Sequence, residues 1–521
     1  MKFISSISSA VLIPSLLFAW VSFSAHAAPG EVVGSPGASS VPGEAAFCGS
    51  FEWAGSEAEG PVASPRLQAR PADGPYMLGS THFLVHYGDS SLAGYAQSIL
   101  GAAEKSYRVL IDTLQCVFPP SDGVNGGDSR TDIYVVPYAT VAWRGATFYE
   151  QMVVNPPYQG AATSFIEIVD SLSSYTLPVV VAHEYFHVIQ MGYELWEDVK
   201  FYEMISVWAE DRVYDDNNRY LEELPLFFAS PAAPLMNWLY HNVIWARYLS
   251  ENFGDGIIVD ILDQCGLVLG GNSLDATDTE LNARGTNLSD QFAVFTLWNY
   301  FTGSRYRPQF YSEGMNYPEV SIEKDTKCLP LENYLTGRRP GPLACNYLTF
   351  LGDHSSDSLR LDIVLNPDAE WIVSVTRFVG GGISTDYHYY PATVGWDPHT
   401  IVLPDWRQCD SLLVVTNVVS RTGSIFEYIA SVYHAHPLLP SSPYVLVLDR
   451  DGCNRPFDGS GDEFDRAAGE EAAFDRALGA KSVRFVLSDS LPADLSLCGA
   501  IFIVGGFGAG GVNLDSSELA R

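Results

Sequence analysis

The sequence predicts a multidomain chain: an α+β region, then an all-β sandwich, then a partial α/β unit. Three observations carry that prediction. Strand-like runs and long helical periodicities mix up to about residue 310. Beyond Cys345 the helical spacing gives way to short β-branched runs separated by Gly, Asp and Pro. From residue 441 onward, strand and helix patterns alternate. The length of 521 residues agrees, since one ordinary core serves roughly 100–200 residues.

Taken in order, the opening MKFISSISSAVLIPSLLFAWVSFSAHA places Lys2 ahead of an apolar core and ends on Ala25-His26-Ala27. That is the layout of a secretory signal peptide over 1–27, and it predicts a secreted protein, extracellular or periplasmic, with no membrane insertion after cleavage. Residues 28–75 are rich in Gly, Pro, Ala, Ser and Glu without apolar periodicity, so they read as a flexible leader. The α+β region spans 76–340. "STHFLVHYG", "TDIYVVPY" and "SFIEIVD" read as strands, and Ala96, Ile99, Ala103, Tyr107 and Leu110 mark a helix between the first two. Helical spacing then covers 177–191, 200–214, 235–253, 256–265 and 288–302. Residues 341–437 hold the sandwich strands "SLRLDIVL", "EWIVSVTRF", "DYHYYPATV", "SLLVVTNVV" and "IFEYIASVYHA". In 441–521, "YVLVLDRDG", "SVRFVLSD" and "GAIFIVGGFG" read as strands and "EEAAFDRALGA" as a helix, resembling a flavodoxin-like unit. "DSSELAR" has the start of a further helix, which predicts a truncated α/β domain.

With 62 Asp+Glu against 29 Lys+Arg, the net charge is −33. Such a surface repels phosphate backbones and anionic lipid, which argues against nucleic-acid and membrane partners. The eight cysteines include no C-x-x-C pair, so zinc-ribbon and thioredoxin chemistry lack support. In an exported chain disulfides are the expectation, and Cys328 with Cys345, flanking one short Pro/Gly-rich loop, is the pair the sequence favours. Asp122, Asn125, Asp128 and Asp132 could offer oxygens to Ca2+, although they lack the EF-hand order and read better as a solvated turn. Gly506, Gly508 and Gly511 form G-x-G-x-x-G, but no room remains for the acidic residue about 20 positions on that a dinucleotide fold needs.

The chemistry-bearing stretch is "VVVAHEYFHVIQMGYE". Thr176 can cap a helix, Pro178 fits a first turn and Gly192 is a natural stop. On that helix His183 and His187 stand one turn apart and can reach one ion, as two-His zinc sites require. Glu184 points near the ion, the offset that suits a general base for a metal-activated water. A hydrolytic zinc takes three protein ligands and keeps one position open. A second helix, "KFYEMISVWAEDRVYDD", returns beside the first, so Glu203 is the leading third ligand, Glu210 the reserve, and Glu194 and Glu197 in the loop are poorer candidates.

"HEYFHVIQ…FYEMISVWAED" resembles the gluzincin zinc metallopeptidases, and in more detail a group of secreted bacterial metalloproteases. The shared pieces run in order over about 80–325: "HFLVHY", "PPSDGVNGGDSRTDIYVV", the two-helix motif, "YHNVIWARYLSENFG" and "FTLWNYFTGSRYRPQFYSEGMNYPEV". The resemblance implies a zincin-like fold for 76–340, one catalytic Zn2+ on His183, His187 and Glu203, and Glu184 as base. It also points to Tyr240 as a hydrogen-bond donor to the oxyanion, a role for which His241 competes. Met204 departs from the pattern, which usually has a small residue after the third-ligand glutamate. The expected function is a secreted zinc-dependent endopeptidase acting on protein or peptide. The alternative is a cell-surface or matrix-binding protein that retains the fold without catalysis.

Overall fold

The structure, a computed structural model, describes residues 46–54, 62–72, 74–271, 273–327, 329–352 and 358–434, and the strands at 444–449, 485–488 and 498–504. The signal-peptide stretch, Cys328, Cys453, the helix expected at "EEAAFDRALGA" and the glycine-rich loop at 506–511 lie outside these residues.

The chain enters through β1 (Ala46–Cys48), followed by β2 (Phe51–Ala54) and β3 (Val62–Pro65), which pair antiparallel as a two-stranded ribbon. The expectation of a flexible leader is therefore corrected for the described part of 28–75. Alternation is absent there because strands of three or four residues are too short to show a period, and the partner of β1, β7, lies far along the chain.

A six-stranded mixed sheet follows. It comprises β4 (Tyr76–Gly79), β5 (Phe83–Tyr87), β6 (Thr131–Val136), β7 (Trp143–Met152), β8 (Ala162–Val169) and the returning β1. The spatial order is β1-β7-β8-β6-β5-β4. β5, β6 and β8 run parallel, β7 is antiparallel to β8, and β1 lies parallel to β7 at the edge. All eight residues of β8 are buried, as expected for a strand covered on both faces. Between β5 and β6 runs α1 (Ala93–Tyr107), extended by a π-helical stretch to Thr113.

Beyond β8 come α2 (Thr176–Tyr193), α3 (Val199–Val213), α4 (Leu224–Ala229), α5 (Val243–Phe253), α6 (Gly256–Gly266), α7 (Ser273–Ala283) and α8 (Leu288–Tyr300). The helix expected over 235–253 is shorter: Leu235–Asn237 form a single 3-10 turn and the α-helix begins only at Val243. α2 also passes through Gly192, which gives way not to a turn but to the close approach of Val117 and Pro120. Its first turn is tied by Ser173 Oγ, which accepts from Thr176 N–H at 3.1 Å, rather than by a Thr176 side-chain cap.

The sandwich comprises β9 (Lys324–Thr326), β10 (Leu331–Leu335), β11 (Ala344–Leu351), β12 (Ser358–Leu365), β13 (Trp371–Val379), β14 (Gly382–Tyr390), β15 (Pro398–Pro404), β16 (Ser411–Val418) and β17 (Tyr428–His434). One sheet has the order β10-β17-β12-β15 and the other β14-β13-β16-β11-β9. Leu361, Ile363, Val373, Val375, Val414 and Val432 fill the space between them. The opposite face of the second sheet, through Tyr347, Ile372, Leu413 and Val415, joins the main core of the helical region. Cys345 belongs to that core as a free thiol, which corrects the expected Cys328–Cys345 pairing: its side chain is committed to packing. β18 (Tyr444–Asp449), β19 (Phe485–Ser488) and β20 (Cys498–Val504) form a parallel sheet in the order β19-β18-β20. The architecture is thus mixed α/β followed by a β-sandwich. No helix among the described residues is long and apolar enough to cross a membrane.

Candidate metal centre

α2 is buried on every side from Val179 to Tyr193, the mark of a helix at the centre of a fold. It packs against β7 and β8 on one side and α3 on the other. β7 comes close because Gly145 has no side chain: a Cβ there would stand 2.7 Å from Cγ of Glu184 and 2.7 Å from Val180. α3 starts at Asp198, whose carboxylate accepts the Lys200 N–H at 2.8 Å, a normal N-cap. The reversal between the helices brings Glu203 back to the histidines.

The structure thereby gathers three of the expected ligands. His183 Nε2 lies 3.0 Å from Glu203 Oε2 and 3.1 Å from His187 Nε2, and His187 Nε2 lies 3.6 Å from the same oxygen. All three side chains are buried. A fourth residue completes the group: Cys48 of β1, with Sγ 3.4 Å from His187 Nε2, and the four ligand atoms lie within 4.8 Å of one another.

The outer atoms of the two rings show why the inner ones converge. His183 Nδ1–H donates to Glu210 Oε1 at 2.8 Å and His187 Nδ1–H donates to Gln190 Oε1 at 2.7 Å. Gln190 is oriented by donating to Tyr202 O at 3.0 Å and Ser206 Oγ at 3.2 Å. Glu210 accepts from Arg219 Nε at 3.1 Å, and Arg219 also reaches Glu223 at 3.3 Å. With Nδ1 protonated, each Nε2 turns a lone pair inward, the orientation that outer hydrogen bonds impose on metal-binding imidazoles. Three lone pairs then face one another, and only a proton or a cation between them relieves the repulsion. Burial opposes a charged His183, but Glu203 and Glu210 outweigh it and lift the imidazole to about 10. Burial likewise opposes the Glu203 carboxylate, yet His183 and His187 bring it down to about 2. Three such atoms 3.0–3.6 Å apart can share one cation between them, so the chemistry of the donor set fits a metal ion.

Glu184 stands beside the group. Its Oε2 accepts from Ser50 Oγ at 3.0 Å and Thr147 Oγ1 at 2.9 Å, while Oε1 is buried with no hydrogen-bond partner among the described residues. Burial raises its affinity for a proton, only partly offset by His183 and His187. Burial also pushes the Cys48 thiol up, with Glu184 and Glu203 adding to the effect.

Tyr240 precedes α5, its ring centroid 6.3 Å from that of His183. Burial, then Glu203, Cys48, Glu223 and Glu184, raises its hydroxyl far above the usual range, so it stays a neutral donor. His241 turns elsewhere: its Nδ1 lies 3.0 Å from the Glu223 carboxylate, at the far end of the Glu210–Arg219 network. Glu194 and Glu197 hold backbone N–H groups of Gly270 and Ser273 at 2.9 and 3.1 Å. Met204 packs into the main core. The residues suggested for Ca2+ form no metal-type cluster among the described residues. Asp122 and Asp132 both bind Arg70, and Asp128 pairs with Arg130 at 2.7 Å, so these carboxylates already have cationic partners.

Sequence reasoning missed Cys48, Ser50, Thr147 and Gln190 at this site. Gln190, one turn beyond His187, carried a usable helical-spacing signal; the other three carried none.

No family model matches the chain, and no curated protein matches it. Similar solved structures include carbohydrate-binding modules of the β-sandwich superfamily, 11% identical over 16% of this chain and 39% of that one, TM-score 0.14. A second is the CBM22-1–GH10 portion of Clostridium thermocellum endo-1,4-β-D-xylanase 10B, 6% identical over 22% and 26%, TM-score 0.15. A third is tripeptidyl peptidase 2, 8% identical over 27% and 13%, TM-score 0.18. The chain spans well under two thirds of each, and overlaps this partial define neither a fold family nor an activity.

Proposed function

We propose that the protein is a secreted zinc-dependent endopeptidase with a zincin-like catalytic region over 76–340. The observation that carries this reading is the convergence of His183, His187 and Glu203 beside the buried carboxylate of Glu184. His183, His187 and Glu203 would hold the ion. A zinc bound there supplies Lewis acidity and a water of lowered pKa. Glu184, whose affinity for protons is raised, takes the proton from the attacking water and passes it to the leaving amine. Tyr240 donates a hydrogen bond to the oxyanion. Extended peptide is the substrate class because β7, the strand against α2, carries on its outer side no full strand but only the three-residue β1 and a single bridge from Leu67 to Tyr149. The signal-peptide layout of 1–27 supports secretion.

The test compares native protein with Glu184→Gln. Native protein is expected to hold one zinc per chain, and the variant to keep the zinc while losing at least about 100-fold in casein or peptide cleavage, the scale of a lost general base. Zinc bound without Glu184-dependent cleavage, in the native chain and in Cys48→Ser alike, would favour the alternative, a binding protein on the same fold.

A further inference from the structure

The three residues of β1 and the three that follow, Gly49–Phe51, do more than pair with a neighbour. Ala46 and Cys48 sit opposite Trp143 and Gly145 of β7, and Gly49 N–H donates to Gly145 O at 2.9 Å. This places the Cys48 sulfur on the fourth side of the cluster, 3.4 Å from His187 Nε2. Two residues on, Ser50 Oγ donates to Glu184 Oε2 at 3.0 Å and accepts the Thr147 N–H at 2.8 Å. Phe51 then sets its ring edge-on to His187, centroids 5.3 Å apart. Gly49 is needed between these contacts, because a Cβ would meet the Trp143 ring at 2.5 Å. So one short segment touches a ligand twice, engages the base and covers the edge of β7. The other oxygen, Glu184 Oε1, is buried with no hydrogen-bond partner among the described residues, an atom that a reacting water would satisfy.

We infer that Cys48–Phe51 is a built-in inhibitor of the site: Cys48 supplies a thiolate as fourth ligand where a hydrolytic site needs water, Ser50 occupies Glu184, and β1 blocks the strand edge that a peptide would use. This rests on the reading of the cluster as a catalytic ion site. A hydrolytic zinc keeps one coordination position open, whereas four protein ligands close it. On coordination the Cys48 thiol gives its proton to bulk water. On opening, the sulfur–metal bond is exchanged for a water–metal bond and the sulfur regains a proton or is capped by a thiol reagent. Opening also releases Ser50 from Glu184 Oε2 and exposes the Trp143–Thr147 stretch of β7 as an edge to which an extended peptide can add.

The experiment loads the full chain with cobalt(II) in place of zinc. A thiolate ligand gives a near-ultraviolet charge-transfer absorption. That band is expected in the native chain and is expected to vanish in Cys48→Ser while cobalt stoichiometry and the visible d–d bands remain. In the native chain, peptide mapping after iodoacetamide should find Cys48 protected with metal bound and alkylated once the metal is chelated. Cys48→Ser loaded with zinc should cleave peptide more than about tenfold faster than the native chain, as when a dominant closed form stops competing. Cobalt bound without the thiolate band, or Cys48 equally reactive with and without metal, would overturn the inference and leave the peptidase reading standing. Loss of metal binding in a folded Cys48→Ser would overturn it too, by making the cysteine an obligatory ligand of a closed structural site. A native chain that takes up no cobalt or zinc would defeat the peptidase reading itself, and the inference with it.

Discussion

Glu210 shows how much of the site lies one residue away from any ion. It fixes His183 through Nδ1 at 2.8 Å and is itself held by Arg219 at 3.1 Å, all three side chains being buried. Removing its charge weakens the hold on the imidazole without deleting a ligand. Glu210→Gln should lower metal affinity about 10–100-fold, measured by competition with a chromophoric chelator. An unchanged affinity would mean that the ring is positioned by packing alone. At this scale the sequence was legible where spacing along one helix does the work: His183, Glu184 and His187 follow from the α-helical repeat, and Glu203 and Glu210 stand two turns apart on the next helix. It was not legible for Cys48, which reaches His187 across 139 positions. "AFCGSF" has no local pattern that announces a distant partner.

Among elements, α2 and α3 were readable and β7 was not. "WRGATFYEQM" neither alternates nor forms a continuous apolar run, because both of its faces are in use. Thr147 faces Glu184, while Phe148 packs with Phe165 on the other side of the sheet. Gly145 is where this strand meets Glu184. Gly145→Ala would place a methyl within 2.7 Å of Glu184 Cγ and Val180 and 2.9 Å of Glu184 Oε1. Overpacking of this kind costs about 1–3 kcal/mol, so chemical denaturation should show that loss, together with a larger drop in cleavage than in metal content. A variant as stable and active as the native protein would show that β7 can retreat from α2. The short helices α4 and α7 also escaped the periodicity reading, and the long helix expected from 235 was interrupted by the Pro234–Asn242 turns.

For the whole molecule, the sandwich was legible as a change of pattern, but its attachment was not. The second sheet uses both faces: Val373, Val375 and Val414 look into the sandwich, while Ile372, Leu413 and Val415 belong to the helical core. Tyr347 O–H donates to Thr296 O at 2.8 Å and Thr296 Oγ1 donates to Asn417 Oδ1 at 2.6 Å, so α8 is tied to β11 and β16. Two units that share buried residues open together. Amides of α8, β13 and β16 should therefore show a common opening free energy in native-state hydrogen exchange. β16 amides opening while α8 stays protected would show that the junction is a mere contact.

The chain that covers the His183–His187–Glu203 cluster is also fastened a little further on. Tyr149 N–H donates to Arg66 O at 3.2 Å, Gln68 Nε2 donates to Glu167 Oε1 at 2.8 Å, and Arg70 is clamped by Asp122, Asp132 and Glu150 on the outer side of the sheet. A displaced Cys48 would thus stay leashed beside the cleft at an effective concentration of about a millimolar. Dilution cannot remove such a competitor, so lasting exposure of the cleft calls for severing the leash upstream of Arg66 or capping the sulfur.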